Sequence, residues 1–152
     1  RAQIAAGRLR VLGPEPLEDS FTPEVLGQRL NGRTRALKPL LLDQTLIAGV
    51  GNIYADEALF YAKLRPTRPA NTLSQNDIRT LHTAIQKVLN LGIEREGASI
   101  DIYVKPDGSK GDMQNAVAVF RRTGSPCYEC GRPVERIVLG GRSTHFCPHC
   151  QK

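Results

Sequence analysis

Residues 37–60, LKPLLLDQTLIAGVGNIYADEALF, contain two helical signals with an apolar loop between them. Proline suits the first turn of a helix, where it has no N–H to lose. Pro39 followed by Leu40, Leu41 and Leu42 therefore predicts a short buried helix beginning near the proline. Residues 45–51, TLIAGVG, then form a loop of apolar and small residues, unusual because connecting segments are ordinarily polar and solvated. Asn52 is a candidate cap for a second helix over 53–62, with Asp56 and Glu57 near its start. Pro66 and Pro69 end it. The acidic side chains here, as elsewhere in the chain, read as mostly solvating.

Upstream, Thr22 and Pro23 combine an N-cap hydroxyl with a proline at the first helical position. Val25, Leu26 and Leu30 give that helix one apolar side, and Asn31-Gly32 ends it. Downstream, Ser74 with Asp77 three residues later resembles a capping box. Ile78, Leu81, Ile85, Val88 and Leu89 then mark one face of a long amphipathic helix, on which His82 reads as packed or exposed rather than catalytic. Four or five packed helices are the expected core of a domain over 21–98. Residues 1–20 read as a lead-in or linker, basic from Arg1 to Arg10 and then turn-rich at Gly13-Pro14-Glu15-Pro16. Residues 99–122 read as a loop and connector. Pro106, Gly108 and Gly111 predict a mobile loop over 101–113, and 116–122 is either a strand or an irregular link.

The last segment, 123–152, carries all four cysteines: Cys127, Cys130, Cys147 and Cys150. Two C-x2-C pairs at this separation fall in the window for one tetrahedral, structural zinc ion. Strands over 135–139 and 143–146 joined at Gly140-Gly141 would make the ribbon hairpin. Two disulfides or redox catalysis by a C-x-x-C pair are the alternatives. With four cysteines present, His145 and His149 read as surface histidines.

Lys and Arg outnumber Asp and Glu by 21 to 15, a net charge of +6, which four thiolates and one Zn2+ would change to +4. A basic balance suits a polyanionic partner. Trp is absent and aromatics make up 5% of residues, which disfavours a base-stacking surface for single strands. No apolar stretch reaches the length that spans a bilayer, so no membrane partner is expected.

Two features suit phosphate. Gly49-Val50-Gly51-Asn52 is a glycine-bearing turn entering a helix, whose N-terminal N–H groups favour an anion, with Lys38 close in sequence. The other reading is that the glycines serve only the turn and Asn52 only caps. Arg142 follows the Gly140-Gly141 turn at a rigid hairpin tip, and its planar guanidinium matches phosphate oxygens. A solvated surface arginine is the alternative there. No nucleophile–base pair can be assembled, so the residues alone describe a zinc-stabilised binding module.

The stretch 37–44, LKPLLLDQ, with 49–60, GVGNIYADEALF, resembles the helix–two-turns–helix element of the bacterial formamidopyrimidine-DNA glycosylases. The lead-in 12–17, LGPEPL, and residues 124–152 are similar to that family as well. The resemblance implies a mainly α fold: a helical bundle with a helix–two-turns–helix element plus a C-terminal four-cysteine zinc-ribbon β-hairpin. It implies base-excision repair of duplex DNA, with oxidised purines (8-oxoguanine and formamidopyrimidines) flipped out and excised and the strand cleaved by β,δ-elimination. It further implies that Lys38, Asn52 and Arg142 bind phosphates flanking the lesion. Asp107, Gly108, Ser109, Lys110, Gly111, Asp112 and Met113 align with the loop that caps the extruded base.

The family's nucleophile is an N-terminal proline followed by glutamate, whereas this chain begins Arg1-Ala2-Gln3. The expectation is a DNA-binding C-terminal portion, inactive by itself, whose partners are double-stranded DNA and the enzyme's own N-terminal catalytic domain. A monomer in the bacterial cytoplasm, at the nucleoid, is expected. Val119-Phe120-Arg121-Arg122 stands where the family commonly has Val-Tyr-Gly-Arg. Asp112 and Met113 likewise depart from the loop pattern. An endonuclease VIII-like glycosylase for oxidised pyrimidines and a stand-alone, non-catalytic DNA-binding module are the alternative functions.

Overall fold

Thr22 opens the first helix, α1 (Pro23–Leu30): its hydroxyl accepts from the Val25 N–H at 3.2 Å, and Pro23 takes the first helical position. The computed structural model describes residues 12–96 and 116–152. The basic stretch 1–10 and the expected loop over 101–113, with its base-capping residues Asp107 to Met113, lie outside them. Two more helices follow, α2 (Leu37–Leu41) and α3 (Asn52–Ala62), then a 3₁₀ turn at Ala70–Thr72 and the long α4 (Gln75–Glu96). The start of α4 is a reciprocal box in which Ser74 Oγ accepts from Asp77 N and Asp77 Oδ2 accepts from Ser74 N, each at 3.0 Å.

Two helix starts differ from expectation. α2 begins at Leu37, two residues before Pro39. Asn52 lies inside α3 rather than capping it; the cap is Gly51, with no side-chain bond. The Asn52 amide is used elsewhere, donating at 3.2 Å to the Ser143 carbonyl 91 residues away.

Leu26 and Leu30 of α1, Leu40 and Leu41 of α2, Ala58 and Leu59 of α3, and Leu81, Ile85 and Val88 of α4 share one apolar core. The 45–51 loop is apolar because it belongs to that core: Leu46, Ile47, Ala48 and Val50 are all buried. Its backbone needs substitutes for solvent, and Gln44 supplies several. Gln44 Nε2 donates to the carbonyls of Leu42 and Val50, while Oε1 accepts from Gly49 N at 2.7 Å. The lead-in closes the remainder, with Gly13 N donating to Gln44 O and Pro14 O accepting from Ala48 N. Gly13 and Pro14 are thereby tied to the loop, while residues 17–20 stay exposed.

The reading of the acidic residues as mostly solvating fails at Asp56 and Glu57, which are buried at 0% and 1% exposure. Glu57 explains the irregular path of 116–122: its carboxylate accepts from the N–H groups of Ala118, Val119 and Phe120 at 2.6, 2.9 and 3.0 Å. Those donors are thereby lost to any sheet ladder. Burial raises the Glu57 pKa above the ordinary carboxylate value, with the three N–H bonds opposing the shift. Beyond this segment, β1 (Glu135–Leu139) and β2 (Arg142–Phe146) pair antiparallel, with Leu139 opposite Arg142. Gly140 and Gly141 join them at φ 60° and 81°. Positive φ at both central residues is what a two-residue hairpin turn of the right twist requires. A smaller core of Phe60, Val119, Val134, Cys127 and Cys147 seats this segment on α3. No helix among the described residues is long and apolar enough to cross a membrane.

Replacing Glu57 by Ala would leave three buried N–H donors unpaired. The expected loss is about 3 kcal/mol or more, read from the urea midpoint at constant slope. A loss under about 1 kcal/mol would mean that water replaces the carboxylate without penalty.

Candidate nucleic-acid interface and metal centre

The four thiols meet at one point, with every pair of Sγ atoms within 4.8 Å. Cys127 and Cys150 are 3.8 Å apart, and Cys130 and Cys147 are 3.5 Å apart. Four sulfurs at about 2.3 Å from zinc sit roughly 3.8 Å from each other, so the cage matches a tetrahedral ion. Backbone N–H groups of Glu129, Arg132 and Cys150 point at sulfurs at 3.4 Å, the polarity a thiolate needs. Burial and then the neighbouring sulfurs push the Cys150 thiol up to about 12, a shift that a cation bound among the sulfurs would oppose. One structural zinc fits, held by Cys127, Cys130, Cys147 and Cys150. Four thiolates complete its coordination, so the metal supplies rigidity and no open position for chemistry.

Beneath the hairpin lies a buried polar network. Lys38 Nζ reaches Asp56 Oδ1 at 2.7 Å, the Ser143 carbonyl at 2.8 Å and Thr144 Oγ1 at 3.0 Å. An ammonium has three donors, and all three are engaged. The other Asp56 oxygen accepts from His145 Nδ1 at 2.9 Å and from the His145 backbone N–H at 3.1 Å. A carboxylate only accepts, so the His145 proton sits on Nδ1. His145 is thus no surface histidine. It is 3% exposed, because its ring is engaged by Asp56 of α3 and by Phe120, whose ring meets the imidazole edge-on at 5.1 Å. His149 is exposed, as expected. Burial lowers the Lys38 pKa, Asp56 opposes that shift, and the Arg142 guanidinium adds to it.

Above the network opens a cleft of about 520 Å³. Asn52, Phe120, Arg121, Arg136 and Arg142 line it, with no Asp or Glu among its lining residues. Arg142 is exposed at the hairpin tip, and Asn52 keeps a second amide hydrogen beyond the one given to Ser143. No side chain caps α3, and the N-terminus of a helix favours an anion. Arg136 is steadied by a 2.9 Å bond to Ser143 Oγ.

Asn52 and Arg142 therefore share one cleft, as the sequence suggests, but Lys38 does not line it. It lies underneath, 0% exposed, because α2 packs below the hairpin and Asp56 draws its ammonium inward. Arg121 and Arg136 are cleft residues that the sequence reading passes over. Arg136 was accessible in principle: the Gly140-Gly141 turn sets the register that places it opposite His145. His82 is structural, its Nε2 2.7 Å from the Phe21 carbonyl and its ring stacked on Phe21.

Comparisons with known proteins agree with this geometry. Residues 12–104 match the family described as Formamidopyrimidine-DNA glycosylase H2TH domain, and residues 124–152 match Zinc finger found in FPG and IleRS. The chain is 48% identical over 140 residues to the formamidopyrimidine-DNA glycosylase of Symbiobacterium thermophilum, covering 92% of this chain and 46% of that protein. It is 50% identical to the one from Herpetosiphon aurantiacus, covering 99% and 55%. The chain thus spans about half the length of the curated relatives it matches. The crystal structure of the MutM (Fpg) protein of Thermus thermophilus superposes with a TM-score of 0.83 at 51% identity, over 95% of this chain and 55% of that one. The Lactococcus lactis Fpg, solved in complex with abasic-site DNA, gives 0.83 at 41% identity over 93% and 52%.

Elemental analysis should find one zinc per chain, and Cys147→Ser should lose it. Chelation should abolish amide protection in β1 and β2 while leaving most helical ellipticity. Unchanged protection after chelation would refute a metal-held ribbon. In the buried network, Asp56→Asn should cost about 3–5 kcal/mol in urea unfolding by stranding the Lys38 charge. Adding Lys38→Met should restore part of that loss. Simple additivity of the two substitutions would break the assignment of a coupled pair.

Proposed function

The chain belongs to the formamidopyrimidine-DNA glycosylase family, and we propose that it grips duplex DNA while the whole protein excises an oxidised purine. The observation that carries this reading is the cleft at the zinc hairpin, where Asn52 and the guanidinium of Arg142 converge beside an uncapped helix start and no carboxylate lines the surface. A DNA phosphate is the anion suited to it, since guanidinium binds two phosphate oxygens at once and helix N-termini favour negative charge.

Each part then has a physical task. α2, the turns over 42–51 and α3 act as the helix–two-turns–helix element. Asn52 offers its second N–H, and Arg142 its fork, to phosphates flanking the lesion. Lys38 we assign to holding the hairpin on the helices, because its three donors are already engaged within the protein. Zinc fixes the ribbon that carries the tip. Glycosylase and AP-lyase chemistry on 8-oxoguanine and formamidopyrimidines is the proposed activity of the whole protein. The residues described here bind and orient DNA. A set of reduced thiols also suits a reducing bacterial cytoplasm, where the DNA lies.

Binding to a duplex bearing a tetrahydrofuran abasic analogue, followed by fluorescence anisotropy against salt, tests the reading. Each phosphate contact contributes about 0.9 to the slope of log K against log salt. Arg142→Ala should weaken binding on all duplex sequences alike and lower that slope by about 0.9. Arg142→Lys should recover the slope but not the full affinity, having charge without the fork. Affinity and slope both unchanged in Arg142→Ala would overturn the assignment.

A further inference from the structure

Arg121 and Arg122 are adjacent but have opposite fates. Arg122 turns inward: Nη1 donates to Ala118 O at 2.6 Å, Nη2 donates to Pro126 O at 2.9 Å, and the guanidinium sits 3.8 Å from the centre of the Tyr128 ring. Arg121 turns outward into the cleft, exposed, with its guanidinium 5.2 Å from the centre of the Phe120 ring. Its backbone has φ 59°, the left-handed region that glycine enters freely and other residues enter at a cost. A turn at this position needs no side chain, and a side chain makes it less favourable. Strained backbone of this kind persists where the surroundings hold it and the side chain has a use.

The holding elements are identifiable. Glu57 fixes the N–H groups of residues 118–120, Phe120 is wedged at 7% exposure, and the Arg122 N–H bonds back to Val119 O at 3.0 Å. Backbone immediately before and after Arg121 is therefore pinned, and the left-handed turn aims its side chain at the surface shared by Arg136 and Arg142. Stacking over Phe120 restricts the guanidinium further, lowering the entropy lost when it binds an anion. Among the described residues no carboxylate pairs with it.

We infer that Arg121 is a further DNA-phosphate-binding residue, pre-aimed by its left-handed backbone and the Phe120 ring. The inference rests on the proposed role of the cleft. It adds a second guanidinium to the cleft that the hairpin tip also lines, so that the sugar–phosphate backbone is met by cations from both the connector and the hairpin.

Substitution separates the conformational cost from the binding role. Arg121→Gly removes both strain and charge, whereas Arg121→Ala removes only the charge. The expected result for Arg121→Gly is a melting temperature higher by about 2–4 °C together with several-fold weaker binding to the abasic-analogue duplex. The salt slope should fall by about 0.9. Arg121→Ala should lose the same affinity and slope without the gain in melting temperature. Arg142→Ala, measured alongside, makes the two claims separable. If Arg142→Ala weakens binding and neither Arg121 variant does, the inference is overturned while the cleft reading stands. If all three bind as the parent chain does, the cleft reading and the inference fall together.

Discussion

The Asp56 carboxylate, buried under the zinc hairpin, is the point on which the functional surface depends. One of its oxygens takes the ammonium of Lys38 from α2, and the other takes both the imidazole and the backbone N–H of His145 from β2. Asp56 itself rides on α3, so three elements from distant parts of the chain are tied at one group. Lys38 and Asn52 both donate to the Ser143 carbonyl, one residue from the tip. The position of Arg142 is thus set from beneath by α2 and α3 as well as from behind by zinc. Buried ion pairs add little net stability over apolar packing, because desolvation offsets their attraction. Their directional bonds do fix register, and here register decides where a guanidinium points.

Glu57, the next residue, does for the connector what Asp56 does for the hairpin. Three N–H donors on one carboxylate leave 118–120 no freedom to join a ladder, and the chain must leave through a tight turn. That turn is where Arg121 takes its positive φ. It also accounts for the glycine that the family pattern commonly has where this chain carries Arg121: the backbone conformation is one that glycine enters without cost. Two consecutive acidic residues of one helix therefore position both walls of the cleft. Asn52, the first residue of α3, lines the same cleft.

The zinc and the network have separate tasks. The metal closes the knuckles at Cys127–Cys130 and Cys147–Cys150 and gives the hairpin internal stiffness. Gln151 then clips the second knuckle to the helical core, its Oε1 accepting from Cys147 N at 2.8 Å and its Nε2 donating to Leu64 O at 2.9 Å. A cation that follows a two-residue turn, as Arg142 does, would need both rigid body and rigid attachment to meet an anion without a large entropic cost.

Sequence alone determined whatever rests on short-range chemistry. The Thr22 and Ser74 caps, the apolar face of α4, the Gly140-Gly141 turn and the zinc quartet each depend on residues a few positions apart, and spacing was enough to read them. The 37–60 motif was legible through its resemblance to the family, and Asn52 and Arg142, the two polar residues singled out for phosphate, do line one cleft. What spacing could not show was the fate of charge. Asp56 and Glu57 look like ordinary solvated acids, His145 looks like a surface residue and Lys38 looks like a phosphate ligand. Apart from the Lys38–Asp56 pair itself, their hydrogen-bond partners lie 61 to 106 residues away, and only tertiary packing brings them together. A charged group is solvated unless the fold supplies a partner to replace water, and that exchange is decided by the whole chain.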